Sequence, residues 1–480
     1  MDLDYKKLKF KSGLEIHQQL DTNKLFCNCL SVLRNDEPDF EVCRKLHAVA
    51  GESGEIDVAA RYQASLKKEF VYQGYNTTCL VELDEEPPYE INQDALKIAL
   101  QISILLNCKI IPITQIMRKT VIDGSNTSGF QRTVLIARDG YVETSSGKIG
   151  INTICLEEDS ARKVNEDGKK KIYRLDRLGI PLIEIVTSPD ISFPEQAKEV
   201  ALHIGDILRS CKVKRGIGTI RQDVNISIRG ENRVELKGVQ DMKMFIKIIE
   251  NEIKRQLKLS DSSRPTNSEV RNALADGESE FIRPMPGADR MYPETDLPLL
   301  KISKELINHV KKTLPKLRGE IKRELEKTGL NKEMIGLLLS QNKIEDFKQF
   351  LKIYNKPNFI AKMILLFPKE IASKTGKQLN EIEDLLFDFY GDVLIALTEN
   401  KISESDVKNV LMKFVLGKNI DEALKIEKAD LGEIEEKILK IIRGKPGLSP
   451  KAYMGLIMAQ MKGKIDGKKA MEVVNKVMKN

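Results

Sequence analysis

The sequence predicts an α+β protein, with strands and helices mixed over 1–300 and helices alone from 301 to 480, on three observations. From Lys9 to about Leu257, short β-branched runs of period two alternate with helical segments and with Gly, Asn and Asp turn signals. Beyond Ile302 the strand signals vanish, and Lys, Glu, Leu and Ile recur at helical spacing. The chain is also long. Its 480 residues, 41% of them apolar, are several times what one compact core takes and imply roughly two to four domains.

In order along the chain, the clearest strands are 13–20, 181–186, 222–229 and 234–237. A helix begins at Ser192, a good N-cap, with Pro194 near its first position and Ala197, Val200, Ala201, Ile204 and Leu208 on one stripe. The polar run LSDSSRPTNSEV, 259–270, reads as a surface linker within the first domain. Four prolines in RPMPGADRMYPETDLP, 283–298, forbid a continuous helix or a central strand, which implies an ordered loop against that domain. A helical domain follows over 301–398, then a basic tail over 399–480. Its last two helices are expected to start at Ser449 with Pro450 and at Asp466 after Gly463.

Composition narrows the function classes. No run approaches the roughly 18 to 20 uncharged apolar residues that span a bilayer, and the first residues, MDLDYKKLKFKSGLEIH, lack an apolar export segment, so a cytosolic protein without membrane contact is expected. Seven cysteines without an export signal favour reduced thiols or a metal site over a disulfide framework. Of the net charge of +7, the stretch 437–480 alone contributes +9, from eleven basic and two acidic residues. Such a concentration suits an acidic partner, a nucleic acid backbone first; the alternative is a lysine-rich surface that only keeps helices soluble.

The common short signatures for NTPases, dinucleotide enzymes, zincins and serine hydrolases are absent, so any nucleotide site is built differently. What remains is a set of carboxylates inside strands. In GLEIHQQL, Leu14 and Ile16 alternate with Glu15 and His17, which places carboxylate and imidazole on one face. In PLIEIV, Glu184 interrupts an apolar run; in QDVNISIR, Asp223, Asn225 and Ser227 share a face; in VELK, Glu235 is flanked by apolar residues; LEEDSARK adds Glu157, Glu158 and Asp159. Isolated carboxylates on strands are commonly solvated outer faces. Glu184 is the exception, because burial there is costly unless it is paired or metal-bound. If several strands turn these faces together, they form hard oxygen ligands with one imidazole, a set that suits Mg²⁺ better than Zn²⁺. Arg118, Lys119, Arg221 and Lys237 then either neutralise phosphates or form surface ion pairs.

A second constellation is Cys27, Cys29, Cys43 and His47, a CxC followed by CxxxH. These four could close a tetrahedral structural zinc site, although the spacing is uncommon, or the thiols are simply buried as small apolar groups. His203 and His309 show no partner in the sequence and read as structural.

The motifs GLEIHQQL with LFCNC, LEEDSARK, DRLGIPLIEIVTSPD, IRQDVNISI, VELKGVQ and YPETDLP resemble, in order, those of the B/E subunit family of tRNA-dependent amidotransferases. Within it, MRKTVIDGSNTSGFQRT, 117–133, is similar to the E branch, which belongs to the archaeal two-subunit glutamyl-tRNA(Gln) amidotransferase; the B branch has a Tyr-rich segment there. The resemblance covers nearly the whole chain. It implies a cradle-shaped catalytic domain, a helical domain and a YqeY-like tail. It further implies that ATP phosphorylates the γ-carboxylate of glutamate on tRNA(Gln), and that ammonia from an asparaginase-like D subunit then displaces phosphate, within a heterotetramer.

The same resemblance carries divalent metal binding onto Glu15, His17, Glu157, Glu158, Glu184, Asp223 and Glu235, with Glu15, His17, Glu157 and Glu184 also as catalytic residues. One departure stands out: the E branch carries an inserted domain similar to part of aspartyl-tRNA synthetase, and here only the short linker stands in its place. Two rival readings are a B subunit acting with A and C subunits, and a non-catalytic tRNA-binding scaffold.

Overall fold

The computed structural model describes residues 3–477 apart from 51–53, 230, 262–266, 286–289, 342, 426–430, 446 and 461–466. The chain divides into two units, Met1–Arg318 and Gly319–Asn480.

The first unit is built on an 11-stranded mixed sheet. Across it the strands run Ser279–Pro284, Glu269–Ala273, Val234–Lys237, Ile220–Ser227, Lys11–Gln19, Pro181–Thr187, Gly147–Glu158, Phe130–Thr144, Ile116–Thr120 and Met291–Pro293, and Lys109–Ile110 also pairs with Phe130–Thr144. All neighbours are antiparallel except Val234–Lys237 with Glu269–Ala273. The four strands expected from alternation are present within two residues at each end.

Alternation decides the two faces. Leu14 and Ile16, Ile183 and Ile185, Ile154 and Leu156, Val224 and Ile226, and Val234 and Leu236 all enter one core. The helices Gln93–Leu105, Pro194–Ser210 and Phe245–Asp261 cover that face with Leu96, Val200, Ile204 and Ile249 among their buried residues. Burying each such side chain is worth roughly 1.5–3 kcal/mol, and a slip of one residue would exchange the faces of a whole strand. Register is therefore strongly fixed, and the polar residues between these positions are held on the opposite face.

Several sequence expectations change at element ends. Ser192 does not cap the helix Pro194–Ser210: Phe193 is the N-cap residue without a side-chain bond, and Ser192 donates to Gln196 Oε1 from its backbone N–H (3.0 Å) and hydroxyl (3.2 Å). The 259–270 linker is shorter than expected, since Phe245–Asp261 takes its start and Glu269–Ala273 its end; 262–266 lie outside the described residues. The 283–298 segment is partly strand. Its prolines permit this because Ser279–Pro284 and Met291–Pro293 are the two edges of the sheet, with Pro284 and Pro293 last in each.

A smaller four-stranded sheet orders Phe40–Arg44, Glu69–Gly74, Lys170–Arg174 and Arg162–Asp167 around Phe70, Tyr72 and Tyr173. The expected boundary at 300/301 falls earlier than the change of unit. The helix Lys304–Lys312 inserts Val310 into the core of the first unit, and Gln101 donates to Thr313 O at 2.9 Å.

The second unit is helical throughout its described residues. Its main core runs from Leu325 to Ala423 and includes Ile402, Val407, Val410, Leu411 and Val415, so the helices Glu404–Val415 and Ile420–Leu424 belong with it, past the expected boundary at 398/399. A separate small core joins Ile438, Tyr453, Ile457, Ala470 and Val474 from Leu431–Gly444, Pro450–Gln460 and Gly467–Val477. Pro450 begins its helix as expected, whereas Asp466 lies outside the described residues. No helix among the described residues is long and apolar enough to cross a membrane.

Candidate active site

The polar face of the large sheet brings together residues far apart in sequence. Register sets Glu15 opposite Asp223 and His17 opposite both Glu184 and Arg221. His17 Nε2 lies 3.3 Å from Glu184 Oε2 and 3.4 Å from Glu15 Oε1. On the next strand, Glu157 accepts from Thr133 Oγ1 (2.8 Å) and Gln131 Nε2 (3.1 Å) and contacts Lys119, whose ammonium is also 3.4 Å from Glu184 Oε2. On the other side, Lys237 Nζ bridges Asp223 Oδ2 and Glu235 Oε1, 2.7 Å from each.

The donor atoms of Glu15, His17 and Asp223 lie within 4.8 Å of one another, and so do those of His17, Glu157 and Glu184. His17 is common to both sets.

Electrostatics differentiates these carboxylates. Burial and the neighbouring Glu184 charge push the Glu15 carboxyl up to about 7. Burial alone would raise Glu184 too, but the Lys119 ammonium and the His17 hydrogen bond outweigh it and hold that carboxyl well below the usual range. Burial would lower the His17 imidazole; its bond to Glu184 outweighs this and raises it. Five carboxylates, Glu15, Glu157, Glu184, Asp223 and Glu235, thus face two ammonium groups, Lys119 and Lys237. The excess is negative, and a divalent cation is the natural complement.

The donor set fits Mg²⁺ by its chemistry, being carboxylate oxygens with a single imidazole. Asn225 Oδ1, on the Asp223 face and opposite Glu235, is buried without a hydrogen-bond partner, so a further oxygen donor stands free there.

Not every expected residue joins the cluster. Glu158 follows Glu157 in the same strand and therefore turns to the opposite face, where Arg132 holds it at 3.4 Å. Arg118 is parted from Lys119 by the same alternation and pairs with Glu294 (2.5 Å) and Asp296 (3.1 Å). Arg221 lies beside the cluster, paired with Asp159 at 2.7 Å. Lys119 and Lys237 are in it, but between carboxylates.

Cys43 and His47 are exposed and do not form a site with Cys27 and Cys29: Cys43 sits on Phe40–Arg44 with its side chain turned to solvent, opposite in phase to Val42, which packs inward. Cys27 and Cys29 instead meet Cys79 and Glu82. His203 Nδ1 lies 3.1 Å from Glu143 O.

Sequence reasoning missed several neighbours. Glu294, from YPETDLP, is fully buried between Arg118 and Arg132. Gln19 donates to Asp159 Oδ2 at 2.6 Å, and the Arg290 charge acts on both Glu184 and Lys119. The available signal for Gln19 was its place two residues beyond His17 on the same face; none existed for Arg290.

A family model described as the GatB/GatE catalytic domain matches residues 10–308. The chain is 37% identical to the E subunit of the glutamyl-tRNA(Gln) amidotransferase of Methanocaldococcus jannaschii, with the whole of both chains covered. It is 33% identical to the protein of that name from Methanothermobacter thermautotrophicus over 94% of each chain, and 33% identical to that of Methanosarcina barkeri over 98% of each. The first alignment runs over 633 positions against 480 residues here, so some 150 positions (633 less 480) face no residue of this chain, as a missing insert requires. Matched over most of its length both by the catalytic-domain model and by these relatives, the chain belongs to the GatB/GatE family.

Proposed function

We propose that this chain carries out the ATP-dependent transamidation of glutamyl-tRNA(Gln) to glutaminyl-tRNA(Gln). The observation that carries the reading is the concentration of Glu15, His17, Glu157, Glu184 and Asp223 on the face of the sheet opposite its helix-covered core. The name borne by the relatives supports the substrate.

A carboxylate is a poor acyl donor, because its charge repels a nucleophile and oxide leaves badly. The γ-carboxylate oxygen of the tRNA-bound glutamate therefore attacks the γ-phosphorus of ATP, releasing ADP and leaving an acyl phosphate. Ammonia then attacks the carbonyl carbon, phosphate departs, and a proton is lost to give the amide.

Mg²⁺, when bound, supplies positive charge where phosphoryl transfer develops negative charge. Glu15, His17, Glu157, Glu184, Asp223 and Glu235 are the residues that would hold it. Lys119 orients Glu157 and Glu184, and Lys237 orients Asp223 and Glu235. Ammonia comes from an asparaginase-like D subunit in a heterotetramer, and the three-helix unit of 431–477 corresponds to the YqeY-like tail that meets tRNA.

The test combines the purified chain with such a D subunit and glutamyl-tRNA(Gln). ADP release that requires the tRNA, with glutaminyl-tRNA as product, is expected. No ADP release in a complex that binds tRNA would leave a scaffold, and activity only with A and C subunits would make the chain a B-type subunit.

A further inference from the structure

Two guanidinium groups at the polar face of the sheet stand outside the ion pairs described above. Register places the first: Glu235 is opposite Val270 and Val270 opposite Arg283, so Arg283, on the edge strand Ser279–Pro284, shares the face that carries Glu235. Arg290 directly precedes Met291, which pairs with Lys119 at the other edge of the sheet. The two edges approach one another. A flat sheet of the ten strands in the main path, at about 4.8 Å a step, would hold its edges about 43 Å apart. Yet the first edge strand ends at Pro284 and the other begins at Met291, and the chain between them reaches at most about 25 Å. The sheet therefore curls, and both arginines come over the carboxylates. The Arg290 charge acts on Glu184, Lys119 and Arg283, and the Glu235 charge acts on Arg283.

The protein neutralises neither group. Lys119 lies between Glu157 and Glu184, Lys237 between Asp223 and Glu235, and Arg221 on Asp159. Among the described residues Arg283 and Arg290 form no ion pair, and Arg283 Nη1 reaches only Pro284 O, at 3.4 Å. Both side chains are half-buried. A guanidinium taken partly out of water without a counter-ion is costly, and its planar fork of donors matches the oxygens of a phosphate.

We propose that Arg283 and Arg290 hold the phosphates of ATP, with Arg290 on the phosphoryl group that is transferred; the assignment rests on the transamidation proposed above. The carboxylate-rich face by itself repels a triphosphate, so cations beyond those already paired are needed there. Arg290 takes the transferred group because its charge falls on Glu184 and Lys119, beside His17 and Glu157, whereas Arg283 lies toward Glu235. As the glutamyl γ-carboxylate oxygen attacks the γ-phosphorus, the bond from that phosphorus to the β,γ-bridging oxygen breaks, and its electron pair leaves with ADP. The guanidinium groups keep their protons and meet the negative charge on the transferred and departing oxygens. Lys119, Lys237 and Arg221 serve carboxylates in this reading, and the nucleotide contacts expected of them pass to the two arginines.

The test uses the full chain with the D subunit and glutamyl-tRNA(Gln). Arg290→Ala is expected to lower kcat for tRNA-dependent ADP release about 10²- to 10³-fold, and Arg290→Lys to recover part of it, since an ammonium keeps the charge without the fork. Arg283→Ala is expected to raise KM for ATP, and Kd for β,γ-imido ATP, roughly ten- to a hundredfold. KM for the tRNA should stay unchanged in all three. In the wild-type chain, where no variant can misfold, an arginine-selective dicarbonyl should label Arg283 and Arg290 less when Mg²⁺ and ATP are present, as read by peptide mass spectrometry. Equal labelling with and without ATP would overturn the proposal. So would variants that keep kcat and KM for ATP, or that raise KM for tRNA alone, which would put tRNA phosphates on these arginines. A wild-type complex without tRNA-dependent ADP release would remove the transamidation reading, while protection by Mg²⁺ and ATP would still decide whether the arginines hold a nucleotide.

Discussion

At the scale of single residues, His17 and Glu184 do the most with the least. Strand geometry puts Glu184 among Ile183, Ile185 and the His17 ring, and Lys119 and that ring keep it ionised. Glu184→Gln keeps the shape and removes the charge. Both tRNA-dependent ADP release and amide formation are expected to fall together by about 10² to 10³, the scale of losing an electrostatic anchor, even with free ammonium as nitrogen donor. Near-normal ADP release in a folded variant that binds tRNA would place the metal elsewhere. A residue serving only ammonia delivery would give the other signature, ADP released without glutaminyl-tRNA.

At the scale of elements, the edge strand Met291–Pro293 is clasped to the sheet by the residue that succeeds it. Glu294 N donates to Ile116 O (2.8 Å), and its carboxylate accepts from Arg118 (2.5 Å), Arg132 (2.8 Å) and Asp296 N (3.0 Å). Burial would raise this carboxyl, but Arg118, the Asp296 N–H and Arg132 outweigh it and hold it below the usual range. A depressed acid stabilises the fold above its unfolded pKa, and that stability is lost as pH falls through the folded value. Glu294→Gln takes one of two carboxylate partners from each guanidinium, since Arg118 keeps Asp296 and Arg132 keeps Glu158, and is expected to cost about 1–3 kcal/mol at pH 7. The gap from wild type should hold down to about pH 5 and close in stronger acid. Denaturant midpoints followed by circular dichroism check this. A gap equally wide near pH 3 would show that shape, not charge, holds the strand.

At the scale of the molecule, the described residues of the basic 437–480 stretch fall within a small three-helix unit with its own core, separate from the larger helical core. Removing 399–480 would strip Ile402, Val407, Val410, Leu411 and Val415 from that larger core, so a chain ending at residue 425 is the proper truncation. It is expected to keep its fold, to raise the Michaelis constant for tRNA, and to alter glutamate activation little on saturating tRNA. Each phosphate that the tail no longer neutralises should reduce the slope of log affinity against log salt by about 0.7–0.9. Unchanged tRNA affinity and slope in filter-binding titrations would remove the tail from the tRNA interface.

The sequence by itself determined which residues of each strand share a face, because a period of two is a property of the local backbone. Leu14 and Ile16 against Glu15 and His17, and Val224 and Ile226 against Asp223 and Asn225, were legible for that reason. The helical remainder was legible from its period in the same way. Only the tertiary structure decided which strands became neighbours, since a hydrogen-bonded register joins residues more than 150 positions apart, as His17 and Glu184 are. That is why Glu158 and Arg118 looked equivalent to Glu157 and Lys119 until alternation met a core on one side. It is also why Cys79, fifty residues beyond Cys29, displaced the nearer Cys43: proximity along the chain carries no information about the turn that brings the 75–84 segment back. The helix Lys304–Lys312 reads as the start of a helical domain, yet Val310 buries itself in the first core, because an apolar stripe states that it will be covered and not by what.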